Sequence, residues 1–474
     1  MSRQGRSFGC ERKSRHLLAA CFAALCAGCV HYRAAPLESR HSSEQFAARQ
    51  LTDPKIRDEI AHLLPQAAST WPPQAWNRAD LLAVALVRNP ELAVARAQVR
   101  VVQAHELTAV ETPNPDLTLQ SEYARHDPYP WLYGLSLNWL LRSGERRSLA
   151  GEAARLDTGN ARLDLMEHAW GVRRTLTSAL SERELARRRL SLLDRLAASQ
   201  EGLLRFEQQR VTSGEDPPSE LLATQRARID IEQQQSEQRV IAGAAQAAAA
   251  KALGVPPRAL DGITLAWPDW GEPPSVNETK LRAAGEEALL SRPDLRIAIG
   301  EYAAAETKLH QAVARQYPQL VLEPGFYWDH GIAKFPFDLG FTLPLNRNKN
   351  EIAEARAGRA LAGQHMLAVQ ADIFGEIAAA ERAEKIAYAS ATVAEQQVQA
   401  ARQQEQQSAL SFRLGEMNSP ERIGAEILAT RAELELVQMR AQLQTSRDTL
   451  EDVLRAPLSG PELALAKSMS SGGS

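Results

Sequence analysis

The first residues to test for chemistry are His105-Glu106-Leu107-Thr108-Ala109. They open like HExxH, which sets two zinc-binding histidines four apart on one helix face, but Ala109 stands where the second imidazole is required. Gly134-Leu135-Ser136-Leu137-Asn138 starts like the GxSxG turn that exposes a nucleophilic serine, and lacks its closing glycine. The sequence has neither a P-loop nor a GxGxxG. The reading is of a protein that is no enzyme and takes no cofactor. Two loops pair an imidazole with a carboxylate, His126-Asp127 and Asp329-His330. Such donors suit a transition metal, so these four are candidate ligands; the plainer reading is two solvated polar loops. Acids also cluster at two Gly-containing breaks: Thr212-Ser213-Gly214-Glu215-Asp216 and Arg413-Leu414-Gly415-Glu416-Met417. Among these acids Glu416 leads as a candidate functional carboxylate, with Glu215 and Asp216 next. The alternative is ordinary polar turn residues. Gly214 and Gly415 suit a helix end, where positive φ is commonly required.

The elements that position these residues come in duplicate. RNPEL (88–92) and SRPDL (291–295) place Pro90 and Pro293 203 residues apart, and Pro115 and Pro318 keep the same interval. Tyr123 and Phe326 keep it too, and Gly214 and Gly415 lie 201 apart. Each repeat opens with a helix carrying proline in its first turn, with Asn89 as N-cap in the first. Strands are expected at 117–124 and 132–140, and again at 320–328 and 337–345, where residues alternate with period two: Tyr133, Leu135, Leu137 and Trp139 on one face, Gly134, Ser136 and Asn138 on the other. Eight or nine residues with terminal aromatics approaches the length of a membrane-spanning strand.

Proline-free runs follow, 67 residues over 145–211 and 65 over 349–413, each about 100 Å long as a helix. Leu185, Leu192, Leu196 and Leu203 step as in a coiled coil. Return helices are expected at 217–253 and 420–455. The organisation is thus repeat one over 76–254, a Pro- and Trp-containing linker over 255–280, repeat two over 281–456, and a loose tail over 457–474.

The N-terminus carries Arg3, Arg6, Arg12, Lys13 and Arg15 before the apolar run Leu17–Ala27, which is too short to span a bilayer. The stretch LCAGC (25–29) resembles a bacterial lipoprotein signal, so 1–28 reads as a signal peptide, Cys29 as the acylated (palmitate-bearing) residue, and 29–75 as an N-terminal periplasmic segment; the plainer alternative is an ordinary secretory signal ending nearby. All four cysteines fall at or before Cys29, which leaves no disulfide and no thiolate metal site beyond it. The formal charge of −3 offers no basic excess for phosphates and argues against nucleic-acid binding.

Four strands cannot close a barrel, for which about eight is the minimum, and open edges in lipid are costly. If these strands sit in a membrane, several chains share one barrel. The duplicated plan from about Trp76 to Arg455 resembles the TolC family of outer-membrane efflux proteins. It does so through the NP-L phrase (Asn89, Pro90, Leu92), the P-L start of the first strand and the Gly breaks. YGLSLNWLLRSGERR (133–147) and LPLNRNKNEIAEARA (343–357) resemble its heavy-metal cation branch. The resemblance implies a mainly α fold with a small β part: a homotrimeric α-barrel/β-barrel tube of long coiled-coil hairpins, in the outer membrane and reaching into the periplasm. It implies a passive exit duct for toxic solutes, heavy-metal cations among them. A periplasmic adaptor (membrane fusion) protein and an inner-membrane pump of the resistance-nodulation-division type are its implied partners. The entrance and adaptor contact then fall at Gly214, Glu215, Asp216, Arg413, Leu414, Gly415 and Glu416. Competing readings are a duct for type I protein secretion and a lipid-anchored coiled-coil spacer without a pore.

Overall fold

The structure, a computed structural model, describes residues 30–64, 71–275 and 277–465. The expected signal segment 1–28 and acylation site Cys29 lie outside the described residues. The chain divides into two compact units after Ala48. In the first, helix α1 (Ser39–Ala47) buries none of its side chains. The second unit holds every element below.

Helix α2 (Pro54–Ile60) starts where Asp53 accepts a hydrogen bond from the Lys55 amide, and sends Ile56 and Ile60 into the main core. Helix α3 (Arg78–Arg88) opens with a reciprocal cap: Asp80 N–H donates to Asn77 at 3.0 Å, and Asn77 N–H donates to Asp80 at 3.1 Å. Pro90 cannot continue that helix but suits a first turn, so α4 (Pro90–Ala109) begins at once. Asn89 caps α4 by accepting from the Glu91 and Leu92 amides, and its own amide group donates to the Ala252 carbonyl at 2.8 Å. Ala252 lies at the end of helix α6 (Pro218–Leu253). Repeat two has helix α7 (Glu278–Ser291) and then α8 (Pro293–Ala314). Arg292 stands where Asn89 stood; its side chain donates to the Val453 carbonyl at 3.0 Å, at the end of helix α10 (Ser419–Leu454). The doubled phrase therefore latches the start of one helix to the end of its return helix in each repeat. Gly254 completes the first latch. Its φ is +69°, and a Cβ there would lie 2.3 Å from the Arg88 carbonyl oxygen.

The long helices are α5 (Gly144–Thr212), of 69 residues and about 100 Å, and α9 (Lys349–Leu414), of 66. They pack side by side with their return helices in the order α6–α5–α10–α9. The buried seam of α5 runs through Val172, Ala179, Ala186 and Leu193, seven apart. Leu196 and Leu203 join it, but Leu193 takes the place expected for Leu192.

The linker packs onto the long helix and into the main core. Trp76 and Leu265 form a parallel bridge, and Trp270, 1% exposed, donates from Nε1 to Ser181 Oγ at 3.0 Å. The tail differs from expectation over the part described. Leu465 is in the main core, and Glu462 is buried against two arginines that need it. Arg173 pairs with Glu451 and, at 2.7 Å, with Glu462, while Arg78 lies 3.6 Å from Asp448 and 3.8 Å from Glu462. Arg78 also stacks 4.5 Å over Trp267. Two buried cations thus face three carboxylates. Burial pushes Asp448 up to about 7, Arg78 and Arg173 opposing and Glu451 reinforcing the rise.

The sheet runs β1 (Asp116–Tyr123), β2 (Trp131–Leu141), β3 (Leu320–Asp329), all antiparallel. Beyond β3 lie β4 (Ile332–Lys334) and β5 (Phe337–Phe341), each paired to a different stretch of it. The strand expected at 337–345 ends at Phe341: Pro344 has no N–H for the ladder, and the Leu345 amide turns back to the Leu343 carbonyl at 2.9 Å.

Two outcomes follow. Gly254→Ala should lower stability by more than about 1 kcal/mol, read as an earlier thermal melt, because the Cβ meets backbone at a positive φ. A carboxyl whose folded pKa is raised favours the fold at acid pH and loses that contribution as pH rises through 7. Asp448→Asn should therefore melt a few degrees above the wild-type chain at pH 8, with the gap closing towards pH 5.

Candidate functional site: a two-faced sheet above two helical hairpins

Register decides what each face of the sheet offers. Leu117, Leu119 and Tyr123 of β1 lie opposite Leu137, Leu135 and Trp131 of β2. Tyr133, Leu135, Trp139 and Leu141 lie opposite Trp328, Phe326, Leu322 and Leu320 of β3, which continues to Leu339 and Phe341 of β5. Apart from Ser121 this face is apolar, and most of it is exposed; Leu119 is 76% open to solvent. Tyr123, Trp131 and Tyr133 form an aromatic cluster at one end, with centroid spacings of 4.8 and 5.7 Å, and Trp139 marks the other. An exposed apolar band edged by aromatics is what a membrane barrel presents to lipid.

The opposite face carries Thr118, Gln120 and Glu122, then Gly134, Ser136 and Asn138, then Glu323, Gly325 and Tyr327. Gly134 is small because the Tyr327 ring covers it, 2.2 Å from where a Cβ would sit. One row crosses β1, β2, β3 and β5. Asp116 pairs with Asn138, Asn138 Nδ2 donates to Glu323 Oε1 at 2.7 Å, and Glu323 pairs with Asp338. Three carboxylates and an amide therefore share one level. Sequence reading missed this row, since each acid is unremarkable alone and only register aligns them.

The hairpin tips place the expected residues as turns. Gly214 and Gly415 both hold φ of +79°. Asp216 is half-buried and pairs with Arg210 at 2.6 Å, and that hydrogen bond holds the guanidinium pKa above its ordinary value; Glu215 lies 3.8 Å from the same group. Glu416 is exposed, and its carboxylate forms no ion pair among the described residues. Leu414 is exposed, and Arg413 is exposed too, its Nε donating to the Ala409 carbonyl at 3.3 Å. The two tips share glycine geometry and differ in how free their acids are.

The outer loops do not assemble a metal centre. Asp127 accepts from the Tyr129 amide at 2.9 Å. Asp329 is engaged by both Lys334 and His330, so an ammonium already occupies the carboxylate that a metal would need. Among the described residues no group of three or more His, Cys, Asp or Glu side chains is placed to hold a metal ion. His126, Asp127 and His330 lie in turns of this fold, and Asp329 ends β3.

No helix among the described residues is long and apolar enough to cross a membrane, so the sheet is the element with a lipid-compatible face. Comparison with known proteins gives one family match over part of the chain and several shared folds. Residues 284–454, nearly the whole second repeat, match the family model of the outer membrane efflux protein. The fold is that of CusC, whose structures concern transmembrane channel formation, with TM-score 0.64 at 15% identity over 80% of this chain and 91% of that one. It is likewise that of the open-state Neisseria gonorrhoeae MtrE outer membrane channel (TM-score 0.66, 17% identity, 81% and 89% covered). The Campylobacter jejuni CmeC outer membrane channel gives 0.60 at 15% identity, with 94% of each chain covered. No curated protein matches the sequence. The second repeat thus carries an outer membrane efflux protein domain, and the fold is shared with outer-membrane channels.

The two faces predict opposite responses to charge. Leu135→Arg, on the apolar face near mid-strand, should cost about 2–4 kcal/mol of membrane stability, read as a lower unfolding midpoint in denaturant after reconstitution. Ser136→Arg, one residue along on the polar face, should leave that midpoint nearly unchanged.

Proposed function

We propose that three copies of this chain form an outer-membrane exit duct through which toxic small solutes, heavy-metal cations among them, leave the periplasm. The carrying observation is the sheet: one face apolar, one face acidic, and unpaired outer edges on β1 and β5. Unpaired edges are costly in hydrocarbon, and the four-strand width of one chain is below the barrel minimum, so neighbours complete the ladder. Three copies give twelve strand positions and put nine carboxylates at the level of Asp116, Glu323 and Asp338. A ring of that charge concentrates cations in the lumen, which supports the cation reading. Below the sheet the hairpins reach about 100 Å, a periplasm-crossing length. Their tips, with Glu416 foremost, meet the adaptor and pump, and an acyl chain on Cys29 holds the N-terminus at the membrane. A coiled-coil spacer has no use for a lipid-compatible sheet face.

The test is conductance of the purified chain in a planar bilayer under a salt gradient. Discrete steps and a cation-selective reversal potential are expected, with Glu323→Gln/Asp338→Asn moving that potential towards zero. Absence of steps from a stable trimer sinks the duct. Steps without charge selectivity keep the duct and remove the cation preference. Growth of a deletion strain on graded metal salts against dyes and antibiotics then separates metals from organic toxicants.

A further inference from the structure

We propose that the turn between β5 and α9 binds the phosphate headgroup of an anionic phospholipid in the periplasmic leaflet, through Arg347 and Lys349; this rests on the outer-membrane reading above. Register fixes the lower border of the apolar face, because Leu141, Leu320 and Phe341 lie in one row. Below that row the second repeat continues apolar for one more step: Leu343 is 64% and Leu345 is 90% exposed. Arg347 and Lys349 come next, both exposed. Leu345, Asn346, Arg347, Lys349 and Asn350 line one hollow of about 340 Å³.

Neither cation forms an ion pair among the described residues, and the nearest acid in sequence is committed elsewhere. Glu351 pairs with Arg315 at 3.1 Å and accepts from Asn348 Nδ2 at 2.7 Å. Two unneutralised cations beside exposed leucines match a phosphate diester attached to acyl chains: a guanidinium takes two phosphate oxygens, and an ammonium adds a point charge. Basic hollows at a membrane border attract anionic headgroups for this reason. The leucines decide the occupant, since a soluble anion or an acidic peptide has no need of them. Repeat one lacks the pair. Arg142 stands two residues before α5, as Arg347 does before α9, but Gly144 replaces Lys349. Arg146 is spent on the Ala314 and Tyr317 carbonyls at 3.2 and 2.7 Å.

The experiment is native mass spectrometry of the full chain released from nanodiscs holding equal phosphatidylglycerol and phosphatidylethanolamine. Wild-type chain should retain phosphatidylglycerol over phosphatidylethanolamine by roughly tenfold. Arg347→Gln/Lys349→Gln should bring the ratio to parity with the assembly intact, and the charge-keeping Arg347→Lys/Lys349→Arg should preserve the preference. A neutralised variant that still prefers phosphatidylglycerol overturns the site. So does displacement of the lipid by excess inorganic phosphate, which marks a free-anion site. Loss of the assembly in the neutralised variant makes the turn a contact between copies and removes the lipid. A wild-type chain that never enters nanodiscs overturns the duct reading and this inference together.

Discussion

An unpaired backbone amide or carbonyl in hydrocarbon costs several kcal/mol, and β1 and β5 each turn a row of them outward. Everything else in the second unit follows the same demand for neighbours. The helical layer ends in α6 on one side and α9 on the other. Both outer helices leave apolar side chains uncovered: Leu222 and Ile229 on the first, Phe374 and Tyr388 on the second. Sheet and helices are therefore incomplete on the same two flanks. A shared barrel and a shared helical tube satisfy both deficits with one set of contacts.

Within each repeat, one side chain joins the opening helix to the return helix. The start of α4 and the start of α8 are tied to the ends of their return helices by chemically different side chains, Asn89 and Arg292. The exchange is tolerated because both need only donate to a carbonyl left free at a helix end. Arg292 carries its charge into the buried joint and brings Asp294 and Glu376 to neutralise it. Glu376 sits on α9, so the second latch also ties in the long helix.

How much of this was legible in the sequence depended on range. Period-two alternation marked β2, proline-free runs marked α5 and α9, and glycine marked the hairpin tips, since each is set by residues within a few positions. The short β4 escaped notice, and β5 was read four residues too long because the expected strand was taken through Pro344. The seam of α5 was read one residue early at Leu192, because two leucines stand side by side there and only the packing partner shows that Leu193 is the buried one. The acid row and the resting place of Glu462 had no local signal at all. They arise from register and from pairings across 185 and 289 residues.

Glu462 carries a consequence for how the chain matures. Arg173 is made 289 residues before the carboxylate that faces it, and Arg78 earlier still. Until residue 462 has emerged, two guanidiniums destined for the interior lack a full complement of counter-charge, and desolvating them is unfavourable. The core around α5 cannot close behind the advancing chain. Closure of the midsection therefore waits on residue 462, and a copy that lacks it carries its own mark, a midsection with stranded positive charge.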